Sequence, residues 1–247
     1  MKVSIITVAL NAENTIQDTI DSVKSQTYPD IEYILLDGDS NDATLEIIQK
    51  NLDVIDRWIS EKDRGIYDAM NKGIQMANGE IIAFLNADDI YAYPDAVNDM
   101  VQLFKKKKVD SCYADLVYVS HKNPDNVLRK WKSGRYKNGM FKNGWMPPHP
   151  TFLVKKDIYE KYGMFNLELG TAADYEIMLR FLHKHKISVA YLPKTLIKMR
   201  TGGVSNESIL NRIRANKNDR KAWAINGLKP KFYTPILKPL RKLHQYF

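Results

Sequence analysis

The sequence predicts an α/β protein built on a doubly wound, mostly parallel sheet with helices on both faces. Three observations predict it. Residues 79–89, "GEIIAFLNADD", hold an unbroken apolar run from 81 to 85, which is short enough for a strand and has no wet face; that is the pattern of a central strand covered on both sides. Residues 3–8 and 31–36 are further apolar runs rich in β-branched side chains. Between these runs lie segments with helical spacing, so strands and helices alternate.

In chain order, residues 3–8 are the first strand. Ile16, Ile20 and Val23 recur at helical spacing in the segment that follows. Tyr28-Pro29-Asp30 is a turn, and 31–36 is the second strand, ending in "DGDSND". A helix over 43–49 with Leu45 and Ile48 inward and a short strand within 54–59 come next. Gly65 opens a helix whose apolar face is Ile66, Met70, Ile74 and Ala77, with Asp68, Asn71, Lys72 and Gln75 on the other face. Asn78-Gly79 ends it before the central strand.

Beyond Asp89 the spacing predicts a helix over 95–104, a strand over 109–119 and a long loop over 121–148, of the kind that serves as a lid or binding segment. A strand at 151–154, a short helix at 157–162, a helix through "AADYEIMLRFLHKHK" and strands at 187–192 and 196–199 follow. Gly202-Gly203 breaks the chain, and Ser205 is expected to cap a long helix running to about Ile225. There are no internal repeats.

The bulk properties exclude several classes. The hydrophobic content of 44% is that of a globular protein, and no run approaches the ~20 apolar residues of a membrane span. The N-terminal apolar stretch lacks a cleavage site and reads as a strand, not a signal peptide. A lone Cys112 excludes an internal disulfide and fits a cytosolic protein with an inert buried thiol. Residues 205–247 carry ten Lys/Arg against two Asp/Glu, a net of +8 that equals the excess of the whole chain. The expected organisation is therefore a neutral body, 1–204, and a basic helical C-terminal segment, 205–247.

Polar, chemistry-bearing residues gather at strand ends. Asp88 and Asp89 directly follow the central strand. Adjacent carboxylates repel one another, and the carboxyl ends of strands in an open α/β sheet are where ligands bind. A hard cation such as Mg²⁺ or Mn²⁺ would relieve that repulsion and bridge to substrate phosphates. A solvated turn with Asp89 as a cap explains the pair equally well, and both readings stand on these residues alone. Residues 7–11, 37–42, 63–72 and 86–89 should fall on one edge and could surround a nucleotide, with Asp37 or Asp39 accepting from a base or ribose. Asp42 reads better as a cap of the next helix. Asp68, Asn71 and Lys72 form either a solvated face or part of a ligand site that Gly65 lets approach closely. Asp174, at a helix start, is either a first-turn acid suited to the helix dipole or a candidate general base. His149, between prolines, reads first as a structural histidine and second as a metal or phosphate ligand. No glycine-rich phosphate loop, HExxH or GxSxG is present.

The segments "VSIITVALNAENTIQDTIDSVKSQTYPDIEYILLDGDSNDAT", "DRGIYDAMNKGIQMANGEIIAFLNADD", "PHPTFLVKKDIYEKYGMFN" and "AADYEIMLR" together resemble glycosyltransferase family 2, inverting enzymes with the Rossmann-like GT-A fold, and come in that family's order. The chain looks closest to bacterial transferases that build O-antigen, capsule or colanic-acid-type repeat units. The resemblance implies Asp89 on a Mn²⁺ or Mg²⁺ ion, and Asp88 on the ribose or a metal-bound water. It also implies a nucleotide pocket from Thr7, Ala9, Asn11 and Asp37, and Asp174 as catalytic base. A UDP-sugar donor, a polyprenyl-diphosphate-linked acceptor and addition of a single sugar follow from it too. Two departures are plain. Asp37-Gly38 stands where many members carry Asp-Asp, the second contacting uracil, and Ala173-Asp174 stands where many carry Glu-Asp.

A sugar-1-phosphate nucleotidyltransferase is the rival enzyme reading, but the loop after the first strand, "VALNAEN", lacks the glycines it needs. No nucleic-acid-binding module is recognisable. The basic tail, with Phe232, Leu240 and Leu243 among its cations, suits an anionic membrane surface, which implies a peripheral enzyme on the cytoplasmic face of the plasma membrane. Truncation after Gly227 is expected to abolish liposome binding while sparing transfer to a water-soluble acceptor.

Overall fold

The computed structural model describes residues 1–202 and 209–241, excluding the side chains of 209–216, 235, 236 and 239. The Ser205 cap and the tail residues Lys242, Leu243, Tyr246 and Phe247 lie outside the described residues.

Strands β1 (Val3–Ala9), β2 (Ile31–Asp37), β3 (Arg57–Ser60) and β4 (Ile81–Phe84) are mutually parallel, linked by helices α1 (Ile16–Lys24), α2 (Thr44–Lys50) and α3 (Ile66–Met76). After them come β5 (Asp89–Tyr91), α4 (Ala96–Lys107), β6 (Ser111–Val119), β7 (Val127–Trp131), β8 (Leu153–Lys155), α5 (Lys156–Tyr162), α6 (Ala173–Met178) and β9 (Val189–Arg200), with α7 (Ile209–Ile225) and α8 (Thr234–Arg241) closing the chain. The sheet order is β3-β2-β1-β4-β8-β6-β9-β5, with β7 paired to β6. β4 is central as predicted, parallel to β1 on one side but antiparallel to β8 on the other.

Side chains alternate between the two faces of the sheet, as a strand's period of two requires. Ile6, Val8, Ile34, Leu36, Ile82 and Phe84 belong to one core with α3, α6 and α7. Val3, Ile5, Tyr33, Leu35, Ile81, Ala83 and Leu85 belong to the other with α1 and α4. α3 lies so close to the sheet that a Cβ on Gly73 would sit 2.5 Å from Cγ2 of Ile6.

Several expectations need correction. The stretch 121–148 is not a structureless loop: it contains β7 and a 3-10 turn, Met140–Asn143, around the buried Phe141 and Trp145. The two predicted strands at 187–192 and 196–199 are the single strand β9. Its pairing skips from Leu192 to Thr195 because Pro193 has no N–H to give the ladder. Ile66 is 48% exposed while Asp68 is buried, since the packed face of α3 is Ala69, Met70, Gly73 and Ile74.

The described part of the segment after 204 holds the helices α7 and α8, and α7 shares the core with the body. Trp223 of α7 is 1% exposed and donates from Nε1 to the Tyr175 hydroxyl at 2.9 Å. α8 is tied to the 3-10 turn by Thr234 Oγ1 donating to the Lys142 carbonyl and Arg241 Nε to that of Asn143. Among the described residues no helix is long and apolar enough to cross a membrane.

Candidate active site

The parallel half brings the predicted segments to one edge. Ala9 pairs with Asp37, Asp37 with Ser60, and Ile6 with Phe84, so the loops after β1, β2, β3 and β4 open side by side. The first two are stitched together. The Asn11 backbone N–H donates to Ser40 Oγ at 2.8 Å, and Asn11 Oδ1 accepts from the Asn41 backbone at 3.0 Å. Asn11 and Asp39 both hold positive φ, a conformation that Asn and Asp tolerate better than most residues. Asp37 is 2% exposed and accepts from Ser40 and Ser60, so it shapes the loop from within. Ala9 is buried and its carbonyl accepts from the Gly38 N–H. Asp42 accepts from the Thr44 and Glu13 backbone N–H groups, as its reading as a cap requires.

Some predicted ligands are engaged elsewhere. Thr7 is fully buried and its hydroxyl bonds that of Tyr33, because its position in β1 points it into the core; it does not face the edge. Asn71 uses both ends of its amide on the Phe165 backbone, bracing the loop before α6. Asp68 pairs with Arg64 at 3.0 Å and lies 3.8 Å from Lys72, which itself pairs with Glu61 at 2.6 Å. Arg64 and Lys72 accordingly hold the Asp68 carboxyl below the usual carboxylate range.

The carboxylate pair sits where β4 ends. Asp88 is half-buried, whereas Asp89 is fully buried as the first residue of β5, with Oδ2 accepting from Asn86 at 2.9 Å. Asp89 Oδ1 is buried with no hydrogen-bond partner. Burial, then the charge of Asp88, pushes the Asp89 carboxyl well above its ordinary range; burial also raises Asp88, against the pull of Arg200 and His121. A buried, unsatisfied carboxyl oxygen beside a second acid is a group that a divalent cation would satisfy. Two carboxylates are the complement a Mg²⁺ or Mn²⁺ ion takes when substrate phosphates and water complete its shell. Among the described residues no group of three or more His, Cys, Asp or Glu side chains could hold a metal. The residues therefore fit an ion completed by substrate, not a closed protein cage.

Asp174 stands in the first turn of α6. Gly170, at φ 49 and ψ −129, kinks the chain ahead of α6. The Asp174 Oδ1 atom accepts from the next backbone N–H at 2.6 Å. His149 stacks on Phe84 at 5.6 Å and meets Phe165 edge-on at 5.5 Å. Burial lowers the affinity of His149 for a proton and the charge of Asp174 partly restores it. Tyr67 of α3 meets Phe165 in a tilted ring contact at 5.2 Å and has its phenol pushed well up by burial and by Asp174. Phe84 thus links the two carboxylate centres: its own strand leads to Asp88 and Asp89, and its ring carries His149, which feels Asp174.

The sequence reading missed Arg200, and it placed Asn86 and Tyr67 only within the segments 86–89 and 63–72, without a role of their own. Asn86 adjoins the acidic pair and was in reach of a local reading. Arg200 and Tyr67 are distant in sequence from the groups they meet, and no periodicity marks them.

A model of the family described as "Glycosyl transferase family 2" matches residues 4–163. A glycosyltransferase of Mycobacterium tuberculosis (strain H37Rv) is 32% identical over 186 residues, covering 72% of this chain and 68% of the relative. A PGL/p-HBAD biosynthesis glycosyltransferase of Mycobacterium bovis BCG is 27% identical over 215 residues, covering 82% and 78%. In fold, the chain is similar to S. aureus TarS 1–349 in complex with UDP-GlcNAc, with a TM-score of 0.71, 17% identity and coverage of 96% and 69%. It spans only 41% of a longer TarS chain. It is also similar to the mannosyltransferase PcManGT from Pyrobaculum calidifontis in complex with GDP-Man and Mn²⁺, with a TM-score of 0.67, 20% identity and coverage of 98% and 70%.

Proposed function

Since the chain belongs to glycosyltransferase family 2, and so uses a nucleotide-sugar donor, we propose that it moves one sugar from a UDP-sugar to a lipid-linked acceptor, with inversion, during assembly of a surface polysaccharide or glycolipid. The observation that supports this reading is the buried, unpartnered Asp89 Oδ1 beside Asp88 at the end of β4, with the charge of Asp174 felt by His149, whose ring stacks on Phe84. On this reading Asp174 serves the acceptor, and Asp88 and Asp89 serve the donor diphosphate.

Asp89 Oδ1 and the Asp88 carboxylate would hold a Mn²⁺ or Mg²⁺ ion. When bound, the ion supplies Lewis-acid neutralisation of charge on the leaving diphosphate. Asp174 takes the proton from the acceptor hydroxyl as that oxygen attacks the anomeric carbon from the face opposite the leaving group. Phe84, Phe165, Tyr67 and His149 form one aromatic cluster, in which His149 and Tyr67 feel the charge of Asp174. The Tyr175 N–H holds the Asp174 carboxylate, which lowers the ordering needed at the moment of reaction. The acceptor's lipid would bring the enzyme to the cytoplasmic membrane face, where Phe232, 88% exposed, and Leu240, 49% exposed, lie among cations of the tail.

A panel of nucleotide sugars, with and without Mn²⁺, tests the donor through protection against thermal unfolding. Protection by a UDP-sugar that depends on Mn²⁺ supports the reading, and release of UDP in a product assay confirms transfer. Formation of a nucleotide sugar from sugar 1-phosphate would instead establish the nucleotidyltransferase. For the membrane, Phe232→Asp should weaken co-sedimentation with anionic liposomes, and wild-type protein that ignores them at low salt would exclude that location.

A further inference from the structure

We infer that Arg200 is a positioning residue that fixes the Asp88–Asp89 turn, with Asp18 as its counter-charge; this rests on the donor-site reading above. The Arg200 side chain is 3% exposed. Its Nη1 donates to the Asp88 carbonyl at 3.1 Å, its Nε to the His121 carbonyl at 3.2 Å, and its Nη2 to the Asp18 carboxylate. One guanidinium therefore ties together α1, the turn after β4 and the turn after β6, at the end of β9.

The geometry explains why the position needs arginine. The three bonds diverge from a planar fork, and two go to backbone carbonyls, which read shape rather than charge. A lysine ammonium is a compact point charge on a flexible stem and does not span the three acceptors. The bond to the Asp88 carbonyl fixes the peptide plane from which the Asp88 side chain departs. β5 is three residues long and pairs with β9 from Asp89–Met199 to Tyr91–Ile197, and Thr19 Oγ1 holds the Asp89 carbonyl at 2.8 Å, while Arg200 takes the neighbouring Asp88 carbonyl.

Asp18 answers a second requirement. A permanent cation beside a divalent-ion site would repel the ion. The Asp18 carboxylate, 55% exposed and bonded to the guanidinium, offsets that charge while leaving the three-way tie intact. The pair would thus make rigidity compatible with cation binding.

The test uses full-length R200K and D18N with two readouts. The first is amide hydrogen exchange over residues 85–91, which needs no ligand. R200K should exchange there at least tenfold faster than wild type while α3, remote from Arg200, is unchanged. The second is calorimetric titration of UDP with and without Mn²⁺. R200K should lose tenfold or more in Mn²⁺-dependent affinity, and D18N, which keeps the tie but not the counter-charge, should lose severalfold with the exchange of 85–91 near wild type. A folded R200K whose turn exchanges like wild type overturns the inference, whatever the calorimetry shows. If R200K unfolds, D18N decides: unchanged Mn²⁺-dependent affinity rejects the counter-charge and the inference with it. A wild-type protein whose UDP binding ignores Mn²⁺ would defeat the donor-site reading separately, leaving the exchange result to decide on Arg200.

Discussion

Lys238 Nζ lies 3.8 Å from the centroid of the Tyr175 ring, and Tyr175 is the residue whose backbone N–H holds the Asp174 carboxylate. The same ammonium pairs with Asp219 of α7 at 2.7 Å. The tail therefore packs its charge inward here, onto the neighbour of the candidate base, instead of presenting it to solvent.

K238M removes the ammonium from a carboxylate that is itself buried. The loss of a charge-assisted bond of this kind costs about 2 kcal/mol, or about 4–8 °C in Tm for a chain of this size. Urea denaturation checks it, and the double variant K238M/D219N should recover part of the loss. Gly144→Ala should act on the same strap, because Gly144 holds φ 73 and a Cβ there would sit 2.5 Å from the Lys238 backbone nitrogen. Truncation after Gly227 removes α8 altogether. Contrary to the sequence-based expectation, it should lower stability and transfer even to a water-soluble acceptor.

Asp174→Asn keeps an oxygen for the Tyr175 N–H but cannot take a proton. Transfer should fall by ~10²-fold or more, with UDP-sugar binding close to wild type. Steady-state kinetics alongside calorimetry separates the two, and a variant turning over near the wild-type rate rules out the base.

Asp89→Asn should stabilise the ligand-free protein at neutral pH. Because burial raises the Asp89 carboxyl in the folded state, the folded protein binds the more tightly held proton, and stability falls as pH rises from about 3.9, the unfolded value, through the folded one. The variant escapes that loss, so its advantage in Tm should grow with pH over this window and vanish below it. Mn²⁺ with UDP should reverse the order by stabilising only the wild type.

His149 works in the opposite direction. Burial lowers its folded-state affinity for a proton, so its contribution is complete above the unfolded value of about 6.5 and is lost as pH falls through the depressed folded value. His149→Phe keeps the stack on Phe84 and should flatten the acid limb of Tm against pH. Only part of the limb should flatten, since His183 and His185 are also lowered, chiefly by burial.

By itself, the sequence determined the α/β class, the order of the elements up to β4, and the position of the acidic pair at the central strand's end. These follow from apolar periodicity and strand-end chemistry, which are local and are written in neighbouring residues. Tertiary structure alone decided which of these polar residues are engaged within the protein. Thr7, Asn71 and Asp68 share the composition of a binding site, yet they bond Tyr33, the Phe165 backbone and Arg64, because a buried polar group must find a partner and its partner comes from a distant element. It also decided that Asp89, not Asp88, carries the unsatisfied buried oxygen, and that Arg200 and Asp18 meet at the turn between them. The inward pairing of Lys238 likewise depends on α7 and α8 folding back onto α6, a contact that no count of charges along the tail encodes.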